Sequence, residues 1–238
     1  MSTQLNTREK LQKYLDEYNS TSPTTLFINH RGITSLEGIK FPEHMTYILV
    51  SENSIKSLSG VTFPPMLANI QFGYNQLTTL NDATFPPEMK SIHIMHNNIT
   101  SLDGVAFPPK LADLQLQHNQ ITSLDGIVFP PGLVSLDLSD NKITSFKGMQ
   151  FPLSLFSLKL QGNPIDVRTV SELKNPSPFV IREIVAAFPE TGPHFQRIEE
   201  EKEEKVEQLF KMLYALNMQK EGGTKRNRKT CRKMKKRV

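Results

Sequence analysis

The sequence predicts an α/β repeat solenoid: a horseshoe of about seven short parallel strands on the concave face, an extended proline-bearing convex side, and helical caps. Three observations carry this. Asparagine recurs every 22 residues at Asn53, Asn75, Asn97, Asn119, Asn141 and Asn163. Phe-Pro recurs at the same spacing, starting at Phe41, Phe63, Phe85, Phe107, Phe129 and Phe151. Ahead of each asparagine stand two apolar residues two places apart, Ile92 and Ile94 for example, a parity that puts both on one side of a strand. One period shared by three registers is the mark of a chain built from coils that each touch only their neighbours.

Residues 1–24 precede the repeats. Within them, residues 6–19 read as an amphipathic helix with Leu11, Tyr14, Leu15 and Tyr18 on one face, and Asn6 and Glu9 stand at capping-box spacing. The first coil of a solenoid exposes an apolar flank, which this helix is expected to cover.

Seven repeats follow over residues 25–174. Leu26, Ile48, Ile70, Ile92, Leu114, Leu136 and Leu158 begin the inward column of the strands, and Ile28, Val50, Phe72, Ile94, Leu116, Leu138 and Leu160 continue it. Each asparagine then turns inward, where its amide can satisfy backbone groups of the neighbouring turn that would otherwise be buried and unpaired. Six copies make a ladder. Gly38, Gly60, Gly104, Gly126 and Gly148 fit a turn that needs unusual backbone angles, and Asp82 stands in their place once. Phe-Pro-Pro closes the coil: paired prolines remove two donors and hold the chain extended, and the phenylalanines are expected to stack as an inner spine.

This pattern resembles the leucine-rich repeat family, whose signature LxxLxLxxNxL is met by Leu111, Leu114, Leu116, Asn119 and Ile121. The resemblance covers about residues 24–174. With its 22-residue length and proline-bearing return side, it is closest in kind to the intracellular short-repeat class, bacterial effector-type repeats among them. Arg31 departs from the pattern at the first asparagine position and Arg168 at the leucine after Ile165, both in terminal repeats. The resemblance implies a non-enzymatic module that binds a protein partner on its concave face, or a recruitment subunit for a phosphatase or ubiquitin ligase.

Residues 175–220 read as a C-terminal helical cap. Asp166 can cap a short helix bearing Val167, Val170 and Leu173, Ser177-Pro178 opens a second, and residues 195–220 form a third, whose heptad pattern from Val206 to Leu216 is too short for a coiled coil. Residues 221–238 form a basic tail, expected to be disordered when free. From Lys220 onward lie ten of the 28 Lys and Arg residues and one of the 24 acids, so 18 basic and 23 acidic residues remain before it. The net charge of +4 therefore describes the tail and not the mildly acidic body. Lys225, Arg226, Arg228, Lys229, Arg232, Lys233, Lys235, Lys236 and Arg237 suit an import signal, a sequence-unspecific nucleic-acid contact or an anionic surface. A nuclear or nucleic-acid-associated adaptor acting through this tail is the second functional reading.

Cys231 is the single cysteine, which excludes an internal disulfide and favours a reducing compartment. No apolar signal segment or membrane-length apolar run is present, so an intracellular monomer, cytoplasmic or carried into the nucleus by its tail, is expected. No GxSxG, HExxH, phosphate loop or CxxC occurs, so neither catalytic residues nor a cofactor are assigned.

Outward strand positions line up in columns and hold the candidate contacts: Tyr47, Leu49, Tyr74, His93, Met95, His96, Gln115, His118, Asp137 and Asp140. The patch is mainly uncharged and flanked by acids, which suits a protein partner better than a phosphate backbone. His93, His96 and His118, with Asp113 or Asp140, raise the question of a metal, but no cysteine or HxxxH spacing supports zinc and no metal site is assigned.

Overall fold

A computed structural model describes residues 4–19, 24–145, 147, 149–166, 177 and 179–180. The chain divides into two compact units, Met1–Phe188 and Pro189–Val238, of which only the first contains described residues. The helix expected at residues 195–220 and the basic tail lie outside them.

One helix, α1 (Arg8–Asn19), is followed by seven strands: β1 (Thr25–Phe27), β2 (Tyr47–Leu49), β3 (Asn69–Gln71), β4 (Ser91–His93), β5 (Asp113–Gln115), β6 (Ser135–Asp137) and β7 (Ser157–Lys159). They form one parallel sheet in chain order. Register follows the sequence period, with Leu26 beside Ile48 at one end and Leu136 beside Leu158 at the other. In every strand the central residue is buried. The hydrogen-bond ladder runs on past each strand: Ile28 N–H donates to Leu49 O at 2.9 Å and His30 N–H to Ser51 O at 3.1 Å.

The coil interior is apolar throughout. Ile48, Val50, Ile55 and Leu58 of one coil, and their equivalents in the next, are essentially inaccessible. The return side carries no helix among the described residues, as the prolines require. Each Phe-Pro segment ends in a tight turn, with Met45 N–H donating to Pro42 O at 3.2 Å and Leu67 N–H to Pro64 O at 3.1 Å. The phenylalanines stack in the expected spine: Phe41 on Phe63 at 6.4 Å, Phe63 on Phe85 at 6.3 Å, Phe107 on Phe129 at 5.9 Å and Phe129 on Phe151 at 6.4 Å.

Gly38, Gly60, Gly104 and Gly126 occupy the third position of turns closed by bonds such as Ile39 N–H to Leu36 O at 3.1 Å, with φ between 63° and 74°. That is the type II turn, which wants glycine there. Asp82 corrects the sequence reading. It does not enter the left-handed region, although its turn still closes with Ala83 N–H to Leu80 O at 3.0 Å. The coil accommodates a turn form that most residues adopt.

α1 docks on the first coil. Leu11 and Leu15 are buried, Tyr14 and Tyr18 are half-buried, and Gln12 holds Lys40 through two bonds, accepting from its N–H at 2.9 Å and donating to its carbonyl at 3.1 Å. Arg8 donates to Gly38 O at 2.8 Å, and the Tyr18 hydroxyl donates to Thr25 O. The N-cap is one residue later than the sequence suggests: Thr7 Oγ1 accepts from Lys10 N–H at 3.3 Å, while Asn6 Oδ1 takes the Lys10 ammonium. At the other end Asp166 N–H bonds Thr144 O, and the helix expected just after it falls on residues 167–176, outside the described set. Ser177 Oγ accepts from Val180 N–H at 3.2 Å, Val180 is buried, and Phe179 stacks on Phe156 at 6.3 Å. No helix among the described residues is long and apolar enough to cross a membrane.

Candidate functional site

The functional candidates lie along the strand face and the turn just after it, and the asparagines set their geometry. Asn97 shows the pattern. Its Oδ1 accepts from Leu77 N–H at 2.9 Å, and its Nδ2 donates to Phe72 O at 3.0 Å, Met95 O at 3.1 Å and Ile94 O at 3.3 Å. The same bonds recur at Asn119 and Asn141 and, at the exposed end, at Asn163 with Ile143 N–H at 3.0 Å and Leu138 O at 2.8 Å. Asn53, Asn75, Asn97, Asn119 and Asn141 are all buried. No other short side chain offers an acceptor and two donors in one plane, which is why asparagine fills the column in every coil after the first, where Arg31 stands.

The residue before each asparagine, and before Arg31 in the first coil, is forced into the left-handed region. φ is 55° at His30, 57° at Glu52, 55° at Tyr74, 52° at His96, 56° at His118 and 53° at Asp140, and Gly162 completes the column at 74°. His, Asp and Gly tolerate this conformation better than most residues; Tyr74 and Glu52 do not. Their side chains stand in register beside the sheet. Tyr74 stacks on His96 with ring centroids 4.1 Å apart and planes within 11°, and His96 stacks on His118 at 4.2 Å and 18°. His118 Nε2 then lies 3.5 Å from Asp140 Oδ2, and at the near end His30 Nδ1 lies 3.5 Å from Glu52 Oε2. Burial within the stack, followed by the neighbouring His118, lowers the His96 pKa, and Asp140 opposes the shift.

The middle of the sheet face is a hydrogen-bonded polar network. His93 Nε2 lies 2.7 Å from Asp113 Oδ2 and 3.0 Å from Ser91 Oγ, and Gln115 Nε2 donates to Asp113 Oδ1 at 2.6 Å and Ser135 Oγ at 3.2 Å. Hydrogen bonding from His93 holds the Asp113 carboxyl at about 2, with burial working against it. Tyr47 Oη accepts from Gln71 Nε2 at 2.8 Å. Leu49 and Met95 are half-buried, and Met95 lies across Gly73, where an added Cβ would meet its sulfur at 2.7 Å.

Asp137 corrects the sequence reading. It is 3% exposed, and it accepts from Lys159 Nζ at 3.0 Å, Ser139 N–H at 3.0 Å and Ser139 Oγ at 2.6 Å. It is a buried, satisfied anion and no free contact. The histidines do not converge either: stacked rings carry their nitrogens side by side, and His93 is committed to Asp113. Among the described residues no group of three or more His, Cys, Asp or Glu is arranged to hold a metal.

Two features escaped the sequence reading. The left-handed column is one, although its His, Asp and Gly content was the available signal. The other is the Ser/Thr position of the ITSL segment, where Ser101 Oγ accepts from Asp103 N–H at 2.9 Å and Ser123 Oγ from Asp125 N–H at 3.0 Å, each closing a local turn.

A single parallel sheet wound in chain order, with a buried asparagine in five successive coils, defines a repeat solenoid. The fold is that of a leucine-rich repeat solenoid, and a family model described as leucine rich repeat matches residues 87–129 and 109–165. The leucine-rich repeat domain of a Shigella effector is 20% identical with a TM-score of 0.53, over 71% of this chain and 83% of that one. YopM from Yersinia enterocolitica WA-314 is 21% identical with a TM-score of 0.46, over 65% of this chain. The present chain spans 35% of YopM's length. No curated protein sequence matches.

Proposed function

We propose that this protein is a non-enzymatic, intracellular binding module that takes a protein partner on its strand face, with Tyr74, His96, His118 and Asp140 at the edge of the contact and Tyr47, Leu49, His93, Met95 and Gln115 across its floor. The observation that carries this is the stacked column. Its rings are held in fixed positions by a backbone that repeats every coil, so little side-chain freedom remains to be lost on binding. Aromatic residues held in this way make good anchors. The helix α1 serves as a cap that keeps the first coil from pairing end to end.

The basic tail supports a second reading, an adaptor that associates with nucleic acid through it, because the positive charge of the chain is concentrated there. Affinity capture from lysate separates the two. The intact chain is compared with Tyr74→Asn/His96→Asn, substitutions that tolerate the left-handed backbone, and with a chain lacking residues 222–238. Partners that survive nuclease and high salt and vanish with the double variant support the strand face. Partners lost with nuclease, salt or the tail support the adaptor.

A further inference from the structure

We infer that the open face of Tyr74, beside Glu52, is a seat for an arginine side chain of the partner, an assignment that rests on the strand face being the protein-binding surface. His96 covers one face of the Tyr74 ring at 4.1 Å. The other face therefore points back along the column toward the rung that carries Glu52. That rung is not closed against it. Glu52 leans the opposite way, toward His30, and the stack is interrupted there, which leaves Tyr74 55% exposed and the Glu52 side chain 61% exposed.

A flat electron-rich ring with a carboxylate beside it is the complement of a guanidinium, which lies on an aromatic face and turns its N–H edge to an anion. A lysine ammonium is a compact, strongly hydrated point charge and gains less from such a surface. The surrounding charge agrees. Glu52, Asp113, Asp137 and Asp140 are the acids of the strand face and its bordering column, and Lys159, the basic residue there, is already bound to Asp137 at 3.0 Å. The same pairing occurs within the chain, where the Arg31 guanidinium lies 5.7 Å from the centre of the Tyr14 ring.

The test is an NMR titration of the intact chain with acetyl-Gly-Arg-Gly-amide, following the Tyr74 ring and Glu52 side-chain signals, with the lysine peptide, the citrulline peptide and adenosine in parallel. The arginine peptide is expected to give saturable shifts at both residues. The lysine peptide should bind at least about threefold more weakly, and citrulline and adenosine should give no saturable shift at this site. Tyr74→Phe keeps the ring face and should bind as the parent does; Tyr74→Asn and Glu52→Gln should each weaken binding by about threefold to tenfold. Absence of saturation with arginine overturns the proposal, as does equal binding of citrulline, preference for adenosine, or an unaffected Tyr74→Asn whose other ring signals match the parent. A failed titration alongside loss of captured partner in the double variant rejects arginine and leaves the strand face standing. A positive titration with partner capture unchanged shows that Tyr74 holds arginine but rejects the face as the main interface, and the assignment to a partner's arginine falls with it.

Discussion

Positions 96 and 97 are neighbours in the chain, yet the columns they belong to follow different rules. The asparagine column is the same residue in six coils, because each amide closes several bonds to backbone, four of them at Asn97, most of it out of reach of water. The column before it holds His, Glu, Tyr, His, His, Asp and Gly, although every member shares one strained backbone conformation. A buried polar requirement dictates identity, whereas a conformational strain of about 1 to 2 kcal/mol only biases it. Variation next to invariance within one turn is therefore the footprint of a surface free of the packing constraint beside it.

The comparison can be broken at several points. The largest effect is expected from the inner spine: Phe63→Ala removes a ring that stacks on Phe41 and Phe85 and meets Phe72 edge-on, and should cost about 4 kcal/mol in urea denaturation. Next, Asn141→Leu leaves Ile121 N–H without its acceptor in a dry interior and takes one of two donors from each of the carbonyls of Leu116, Leu138 and Ser139, for about 3 kcal/mol. Asn163→Leu, at the half-exposed end, should cost clearly less.

A smaller effect sharpens the turn argument. Gly104→Ala has room, since an added Cβ would meet only Asn81 Cβ at 3.7 Å, but φ of 74° should cost about 1 to 2 kcal/mol. Asp82→Gly should gain nothing and lose about 0.5 to 1 kcal/mol through the freer unfolded chain. Equal responses at the two positions would show that both turns share one form.

The smallest effect is in pH. The Asp113 carboxyl titrates at about 2 in the folded chain against an ordinary 3.8, so it stabilises the fold above about pH 4 and that contribution is lost as pH falls toward 2. The side chain is 34% exposed, so solvent screening should hold the effect to about 1 kcal/mol or less. Asp113→Asn should flatten the acid limb of stability against pH, and an unchanged limb would remove the His93–Asp113 contact from the account.

The strands, their register, the phenylalanine spine and the asparagine ladder were all readable in the sequence, because each rests on a repeated burial requirement that leaves few residue types. The surface was readable only in part. Asp137 looked outward by parity, and its burial depends on Lys159 one coil on and Ser139 two residues on, a pairing no periodicity announces. Thr7 and Asn6 are both competent caps, and local packing chose between them. Tyr74 and Glu52 hid the left-handed column, being residues that seldom occupy it; the histidines, Asp140 and Gly162 were its trace.

The division between the two columns is tested most directly by urea denaturation of His96→Gly and Asn97→Gly side by side. Asn97→Gly should lose about 3 kcal/mol, because four bonds, three of them buried, go with the amide. His96→Gly gives up two ring contacts but relieves the left-handed strain, and should stay within about 1 kcal/mol of the parent. Comparable losses at both positions would mean that the outer column is part of the framework, and its claim to be the binding surface would fall with that result.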